Sequence, residues 1–349
     1  MPGNDTTVHE AQDSDAAAWN AFIDASAEAS PLARYEWRDV LRESYNLKTH
    51  YFIAERDGRV AGTLAAYETK GILGEKSFYS VRGGFVPGDA AAGSALLDRI
   101  QRSGEIAFWS RCVVGSGWTP LSDREPSQVR STVQLTVEGD PDRIWSNLRD
   151  KARNMIRRAE KEQLRVVSGL DQVGILAEQY QSNMLRLGVP IHSRRYFQSA
   201  VQHLRAHSEI LVAWRERTPI ASMLLHYGRD VACYPVQNAV LEYRALAPVQ
   251  LLIWHAMKCC AARNIRLLDM GESRQASPVF QSKVNFGGTP RDVFYYELPP
   301  ATGHRAPGGV LAQTLRRGAH VADTWLASRS PLSLRRRFAQ KSLARGRVM

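Results

Sequence analysis

The chain has 349 residues, of which 44% are hydrophobic, enough for two cores or one large one. Its four cysteines, Cys112, Cys233, Cys259 and Cys260, include no C-x-x-C pair, which argues against a zinc module or a disulfide framework and fits a reducing compartment. The formal charge of +11 is lopsided: residues 1–300 carry 36 of the 46 bases and 34 of the 35 acids, so the body is nearly neutral and the basicity belongs to the tail. The opening residues have neither a basic run nor an apolar one, and no stretch approaches the ~18 apolar residues of a membrane span. The expectation is a cytoplasmic protein, at most peripheral on the inner face of the membrane.

After a polar lead, Ala16–Ala25 and 35–45 read as helices with Trp19, Phe22, Ile23, Trp37, Val40 and Leu41 at their apolar positions. Strand-like runs over 50–55 and 59–68 flank Asp57-Gly58, a hairpin turn signal. A strand over 77–81 is expected to end at Gly83-Gly84, followed by a helix over 90–101 and a strand over 106–114. Residues 115–128, rich in Gly, Pro, Ser and Asp, read as a connection.

A strand over 133–137 leads to Asp140-Pro141, a cap for one long helix expected to run through Glu162. Ile144, Leu148, Ala152, Ile156 and Ala159 form its apolar face. Arg149, Arg153, Arg157 and Lys161 recur every fourth residue, about 100° round from that face. With Asn154 beside them, these bases point along the surface toward a neighbouring groove; the alternative is a solvated helix with Glu160 and Glu162 as partners. Amphipathic helices over 171–187 and 193–207 come next, then an antiparallel meander over 209–214, 220–226 and 231–238, and an apolar helix over 248–262. The second half thus repeats the plan of the first.

The densest chemistry lies at 266–298. Leu267 and Leu268 run into Asp269-Met270-Gly271-Glu272-Ser273-Arg274, so an apolar strand ends in acid, glycine, acid, hydroxyl and guanidinium. Phe280, Val284 and Phe286 fit the buried side of a short helix, which leaves Lys283 and Asn285 to face a cleft. Gly287-Gly288 ends that helix, Pro290 blocks its continuation, and 293–298 returns as a strand.

The sequence DMGES, then K-V-N-F-G-G-x-P, then a strand with paired tyrosines resembles the closing segment of FemAB-like proteins, acyltransferases built on the GNAT fold. The basic run at 151–164, YQSNMLRLGVP at 180–190, Arg195-Tyr196-Phe197 and PVQLLIW at 248–254 fall in the order of the same family, so the resemblance spans about 130–298. It implies a mixed α/β (α+β) fold of two tandem GNAT-like lobes, each a mixed, mostly antiparallel sheet flanked by helices. The expected division is 1–130, 131–300 and a basic helical C-terminal tail at 301–349.

The resemblance also implies acyl or aminoacyl transfer to an amine of a cell-envelope precursor, such as a nucleotide- or lipid-linked sugar or peptide. No cofactor is held tightly, and the donor is aminoacyl-tRNA or acyl-CoA. A GNAT fold commonly cradles the CoA pyrophosphate on a Gly-rich turn before a helix. The corresponding residues here, 244–249 (RALAPV), contain no glycine, and Gly83-Gly84 is only a weak candidate in the first lobe. No G-x-S-x-G, H-E-x-x-H or Walker motif occurs.

Direct aminolysis needs an oriented neutral amine and positive charge or N–H groups at the developing oxyanion. Lys283 and Arg274 can supply the charge, and Asp269 or Glu272 can accept a proton or hold the amine. Tyr180, Asn183, His192, Tyr196, Tyr234, Gln237, Asn238, Ser273 and Asn285 are candidates for substrate contact, and the basic stripe for phosphate. A CoA-dependent N-acetyltransferase of surface polysaccharide synthesis and a catalytically silent membrane scaffold are the alternatives. In the tail, Leu311, Leu315, Ala319, Ala322 and Leu326 make an apolar face beside Arg316, Arg317 and His320, which suits an anionic membrane, with tRNA as the competing partner.

Overall fold

The alternating apolar runs assemble into a single twelve-stranded sheet in the computed structural model, which describes residues 6–298 apart from 28, 71–75, 103–106, 114–124, 127 and 189–190. The tail expected at 301–349, Pro190 and most of the 115–128 connection lie outside the described residues. In the first half, β1 (Thr7–Glu10), α1 (Ala16–Ala25) and α2 (Trp37–Tyr45) precede β2 (Lys48–Arg56), β3 (Arg59–Lys70), β4 (Lys76–Pro87), α3 (Ala90–Arg102) and β5 (Ala107–Val113). The second half opens with β6 (Gln128–Thr136), α4 (Pro141–Asn147), α5 (Asp150–Lys161) and β7 (Arg165–Ser168). It then repeats the first: α6 (Val173–Leu187), α7 (Arg194–His203), β8 (Ser208–Arg215), β9 (Thr218–Tyr227), β10 (Val231–Ala239), α8 (Pro248–Ala261) and β11 (Leu267–Ser273). The closing unit is α9 (Pro278–Val284) and β12 (Thr289–Leu298).

Each half is two helices, a three-stranded meander, a crossover helix and a parallel strand. The sheet order is β1-β2-β3-β4-β5-β12-β6-β11-β10-β9-β8-β7. β12 is therefore the seam, antiparallel to β5 on one side and to β6 on the other. Alternation along the strands sends residues to both faces. Phe52 and Ala54 pack with Leu96, Leu97 and Tyr296 beneath α3, while Tyr51 and Ile53 pack with Trp19 and Tyr35 beneath α1 and α2. In the second half α4, α5 and α8 cover one face and α6 and α7 the other.

The halves interlock. Leu32, Trp37 and Val40 of the first half share a core with Tyr196, Phe197 and Val236 of the second. Ser199 Oγ donates to Glu43 at 2.9 Å, and His203 meets the same carboxylate at 2.8 Å.

Four details differ from the sequence reading. β4 does not stop at Gly83-Gly84 but passes through them in a bulge, with Gly83 at φ +67. A Cβ on Gly83 would stand 2.5 Å from Ser30 Cβ, so the pair serves a close approach of chain segments. The single long helix is two: Leu148 (ψ 142) and Arg149 (ψ 150) are extended, so α4 ends and α5 restarts at Asp150. Strand β6 begins earlier than expected, and the short edge strands β1 and β7 carry too few residues to show a period.

Two parallel contacts break the antiparallel order. β4 and β5 pair over 77–79 and 107–109, and β10 and β11 pair over Val231, Ala232 and Cys233 against Leu267, Leu268 and Asp269. Beyond those positions β10 bulges between Cys233 and Val236 and β11 between Asp269 and Glu272. The second parallel pair thus parts at Asp269, and backbone and side chains at that fork turn inward.

Candidate active site

Lys283 sits at the fork. Ser277 caps α9 by accepting from Phe280 N–H at 3.2 Å, and Phe280 and Phe286 anchor the segment in the core of the second half. Gly287 at φ +91 turns the chain out of it. A Cβ on Gly288 would lie 2.4 Å from Val133 Cγ1, so its absence lets the segment lie directly on β6. The Lys283 side chain is 7% exposed and donates to Gly271 O at 2.7 Å and Glu272 O at 3.4 Å. Burial pulls its pKa down from 10.5 to about 8, opposed by the nearby negative charge of Asp269 and assisted by the positive charge of Arg82.

Asp269 holds the bulge in shape. Its Oδ1 accepts from Gly271 N–H at 2.7 Å and from the Thr132 hydroxyl. Gly271, at φ +75, turns the backbone so that its carbonyl meets Lys283. A side chain there would collide with a neighbour, because a Cβ would stand 2.8 Å from Arg82 Nη2. Arg82 comes from β4 of the first half, and its guanidinium approaches Gly271 of β11. Its charge also reaches the buried hydroxyls of Tyr196 and Tyr234, both held neutral chiefly by burial.

The sequence-derived candidates divide accordingly. Lys283, Asp269 and Tyr234 come together, the last through its electrostatic contact with Asp269. Glu272 contributes its backbone carbonyl to Lys283, but its carboxylate accepts from Tyr295 Oη at 2.7 Å and lies 3.6 Å from Arg130. Arg274 is exposed on the turn after β11, where its carbonyl accepts from Ser277 N–H. Ser273 and Asn285 are half-buried beside that turn and at the end of α9, and the Ser273 hydroxyl is buried without a partner.

The polar residues of β10 are split. Gln237 pairs across the ladder with Met223, whereas Asn238, 2% exposed, donates to Ser222 Oγ at 3.3 Å. Asn183 lines a separate pocket of about 370 Å³ between α6 and the end of β10, with Glu178, Arg186 and Glu242 on its walls.

Tyr180, His192 and Tyr196 form an aromatic stack between the halves. The His192 ring lies 4.1 Å from that of Tyr196 and 5.6 Å from that of Tyr180. His192 is 1% exposed, burial pulls its pKa down to about 3, and the Tyr45 hydroxyl is hydrogen-bonded to Nδ1 of the neutral ring. These rings belong to the core that the two halves share, and only Tyr196 reaches the fork, through Arg82.

On α5, Arg153 donates to Ser146 O at 3.1 Å and pairs with Asp150, stitching the α4–α5 corner, while the Arg157 guanidinium lies 5.6 Å over Trp145. Arg149, Asn154 and Lys161 are exposed. The corner touches the end of α9, since a Cβ on Gly287 would stand 3.0 Å from Asn147 O.

Arg82 is the residue that sequence reading missed. Its signal was a lone cation inside an apolar strand, directly before Gly-Gly, where neither a turn nor a solvent face accounts for it.

Two turns correspond to the pyrophosphate position of a GNAT fold, and neither fits that group. Before α8, residues 241–246 wind into a 3-10 turn, Ala247 takes φ 59 with its methyl fully buried, and Pro248 brings no N–H. Before α3, Gly88 presses on Ala61 O, and Asp89 accepts from Ala92 N–H at 2.8 Å while pairing with Arg56 at 2.6 Å. A carboxylate thus already occupies that helix N-terminus and repels a second anion.

Sheet order, paired parallel forks and crossover helices define a tandem GNAT fold, and residues 146–276 match the model of the acetyltransferase (GNAT) domain. Over those residues the chain is similar to the acetyltransferase (GNAT) domain, and the likeness to FemAB-type proteins read from the motifs holds at the level of fold. Among solved structures, FemX is similar with a TM-score of 0.65 at 14% identity, over 84% of this chain and 97% of that one. L-PGS from Bacillus licheniformis is similar with a TM-score of 0.52 at 12% identity, over 92% of this chain and 99% of that one. A tandem GNAT protein from the clavulanic acid biosynthesis pathway has a TM-score of 0.51 at 13% identity, over 85% and 100%. No curated protein matches the chain in sequence. Among the described residues, no helix is long and apolar enough to cross a membrane.

Proposed function

We propose that the protein is a FemAB-like acyltransferase that moves an acyl or aminoacyl group from an activated donor to an amine of a cell-envelope precursor, such as a nucleotide- or lipid-linked sugar or peptide. The observation that carries this reading is Lys283, a buried ammonium tied to strand carbonyls where β10 and β11 part. The amine nitrogen attacks the donor carbonyl carbon, and the carbonyl electron pair moves onto oxygen. Two of the Lys283 N–H groups are held by Gly271 and Glu272, and the third is free to meet that oxyanion in a site where solvent is scarce. Collapse reforms the carbonyl and breaks its bond to the donor oxygen, which takes up the proton that the amine loses. Asp269 acts through position: it fixes the bulge and keeps a counter-charge near the ammonium.

An aminoacyl ester such as charged tRNA suits this site better than acyl-CoA, because neither helix N-terminus suits a pyrophosphate. The basic flank of α5 (Arg149, Arg153, Arg157, Lys161), whose corner abuts α9, would guide a phosphate-bearing substrate toward Lys283. The basic tail would hold the enzyme on an anionic membrane, each base near the surface contributing ~1 kcal/mol. Retention by tRNA but not by vesicles containing anionic lipid would refute that role.

The direct test supplies purified protein with aminoacyl-tRNA or acetyl-CoA and a panel of amine-bearing precursors. Transfer from aminoacyl-tRNA that depends on Lys283 is expected. Saturable binding and turnover of acetyl-CoA would make the protein a CoA-dependent N-acetyltransferase instead, and no turnover with any donor while a partner protein co-purifies would favour a scaffold.

A further inference from the structure

The charge at the fork is unbalanced. Arg82 is half-buried and makes no hydrogen bond or ion pair among the described residues, although a guanidinium carries five donors in a planar fork. The nearby acid, Asp269, already accepts from Gly271 N–H and the Thr132 hydroxyl, and Glu272 turns its carboxylate to Tyr295 and Arg130. Two cations, Arg82 and Lys283, therefore share one committed carboxylate. The Tyr234 hydroxyl, on a side chain 5% exposed and within electrostatic reach of both Arg82 and Asp269, is buried without a partner. Arg82 lies directly over this backbone, its Nη2 2.8 Å from where a Cβ on Gly271 would be. The buried Tyr234 hydroxyl is costly to keep unpaired unless a ligand satisfies it, and the half-buried Arg82 guanidinium has its donors open to such a ligand.

We propose that Arg82, lent by the first half of the chain to the fork of the second, anchors an anionic oxygen group of the substrate, phosphoryl or carboxylate, between its guanidinium and the Tyr234 hydroxyl beside Lys283. The inference rests on the reading of the fork as the transfer site and adds the charge of the substrate next to the reacting carbonyl. It also makes the site bipartite: the second half supplies Lys283, Asp269 and Tyr234, and the first half the recognising cation. An Arg fork matches both anions in a bidentate manner, which a point charge does not.

The experiment follows the titration of Lys283 by NMR of ¹³C-labelled lysine side chains, assigned with Lys283→Met. Sodium phosphate, sodium acetate and sodium chloride are added in separate arms at equal ionic strength. In the wild type, phosphate or acetate raises the Lys283 pKa above its unliganded value of about 8 in a saturable way and chloride does not. Whichever anion acts identifies the phosphoryl or the carboxylate group. Arg82→Gln weakens that anion by about tenfold or more, and Arg82→Lys, which keeps a cation beside Gly271, restores part of the affinity.

The proposal is overturned if neither anion differs from chloride in the wild type, a result that needs no variant to fold. It is equally overturned if folded Arg82→Gln binds the anion as the wild type does. Acyl transfer is not read in these arms, so loss of the transfer reading and loss of the anion site are separate outcomes.

Discussion

Replacing Lys283 by Met keeps much of the stem and removes the charge, and the structure gives opposite signs for stability and activity. A fall in pKa from 10.5 to about 8 means that holding the buried ammonium costs about 3 kcal/mol at neutral pH. Removing it relieves that cost but leaves the Gly271 and Glu272 carbonyls without their donor, a loss of ~1–3 kcal/mol. The variant should therefore be as stable as the wild type or slightly more so. Transfer should fall at least tenfold, and toward a hundredfold if the ammonium supplies ~3 kcal/mol to the oxyanion.

The pH dependence separates this account from a generic surface lysine. The folded-state pKa lies below the unfolded one, so between about 8 and 10.5 the unfolded chain binds the extra proton and wild-type stability rises with pH. Below about 8 the penalty is fully present, and above 10.5 it is gone. Urea unfolding at several pH values should show a wild-type gain of about 3 kcal/mol relative to Lys283→Met across that window. The wild-type rate should also carry a limb near pH 8, falling as the ammonium loses its proton, which the variant lacks. Parallel stability curves for the two proteins would show that Lys283 is solvated, and undiminished transfer by the variant would remove it from the chemistry.

Three further outcomes can be measured directly. His192 and His226 are both fully buried with pKa values pulled down to about 3 by burial, so below 6.5 the unfolded chain gains protons that the fold refuses. Each should cost up to about 1.4 kcal/mol per pH unit, and a chemical denaturation midpoint equal at pH 7 and pH 5 would contradict this. Gly288→Ala should destabilise the protein by ~1–3 kcal/mol and lower transfer, since the methyl meets Val133 Cγ1 at 2.4 Å and forces α9 off β6; thermal unfolding reads the first and the transfer assay the second. Arg153→Ala with Arg157→Ala should weaken a nucleotide-sugar ligand by ~1.5–3 kcal/mol per charge-assisted contact, and calorimetric affinity equal to wild type would leave both residues as purely structural, one stitching the α4–α5 corner and one lying on Trp145.

What the sequence by itself determined was local. An apolar strand running into Asp269–Gly271–Glu272 and a short helix closed by Gly287-Gly288 depend on neighbouring residues and short-range backbone preference, so the strand end and the helix were legible before any contact was known. The repeated order of helices, meander, crossover helix and strand was legible for the same reason, because period and turn chemistry are local signals.

The rest was decided by tertiary packing. The apolar spacing of Ile144, Leu148 and Ala152 continues across the break at Leu148–Arg149, so periodicity could not reveal the corner that lies against Gly287. His192, Tyr180 and Tyr196 carry polar tips suited to a cleft, and only the arrival of Trp37 and Tyr45 from the other half turned them into core. The sequence shows Glu272 and Asp269 as equivalent acids, yet the bulge at Gly271 sends one carboxylate to Tyr295 and the other to the fork. Arg82 is remote in the chain from Gly271, Tyr234 and Lys283, whose surroundings it enters. That approach joins β4 to β11, strands separated in the sheet by β5, β12 and β6, a long-range property that no local pattern encodes.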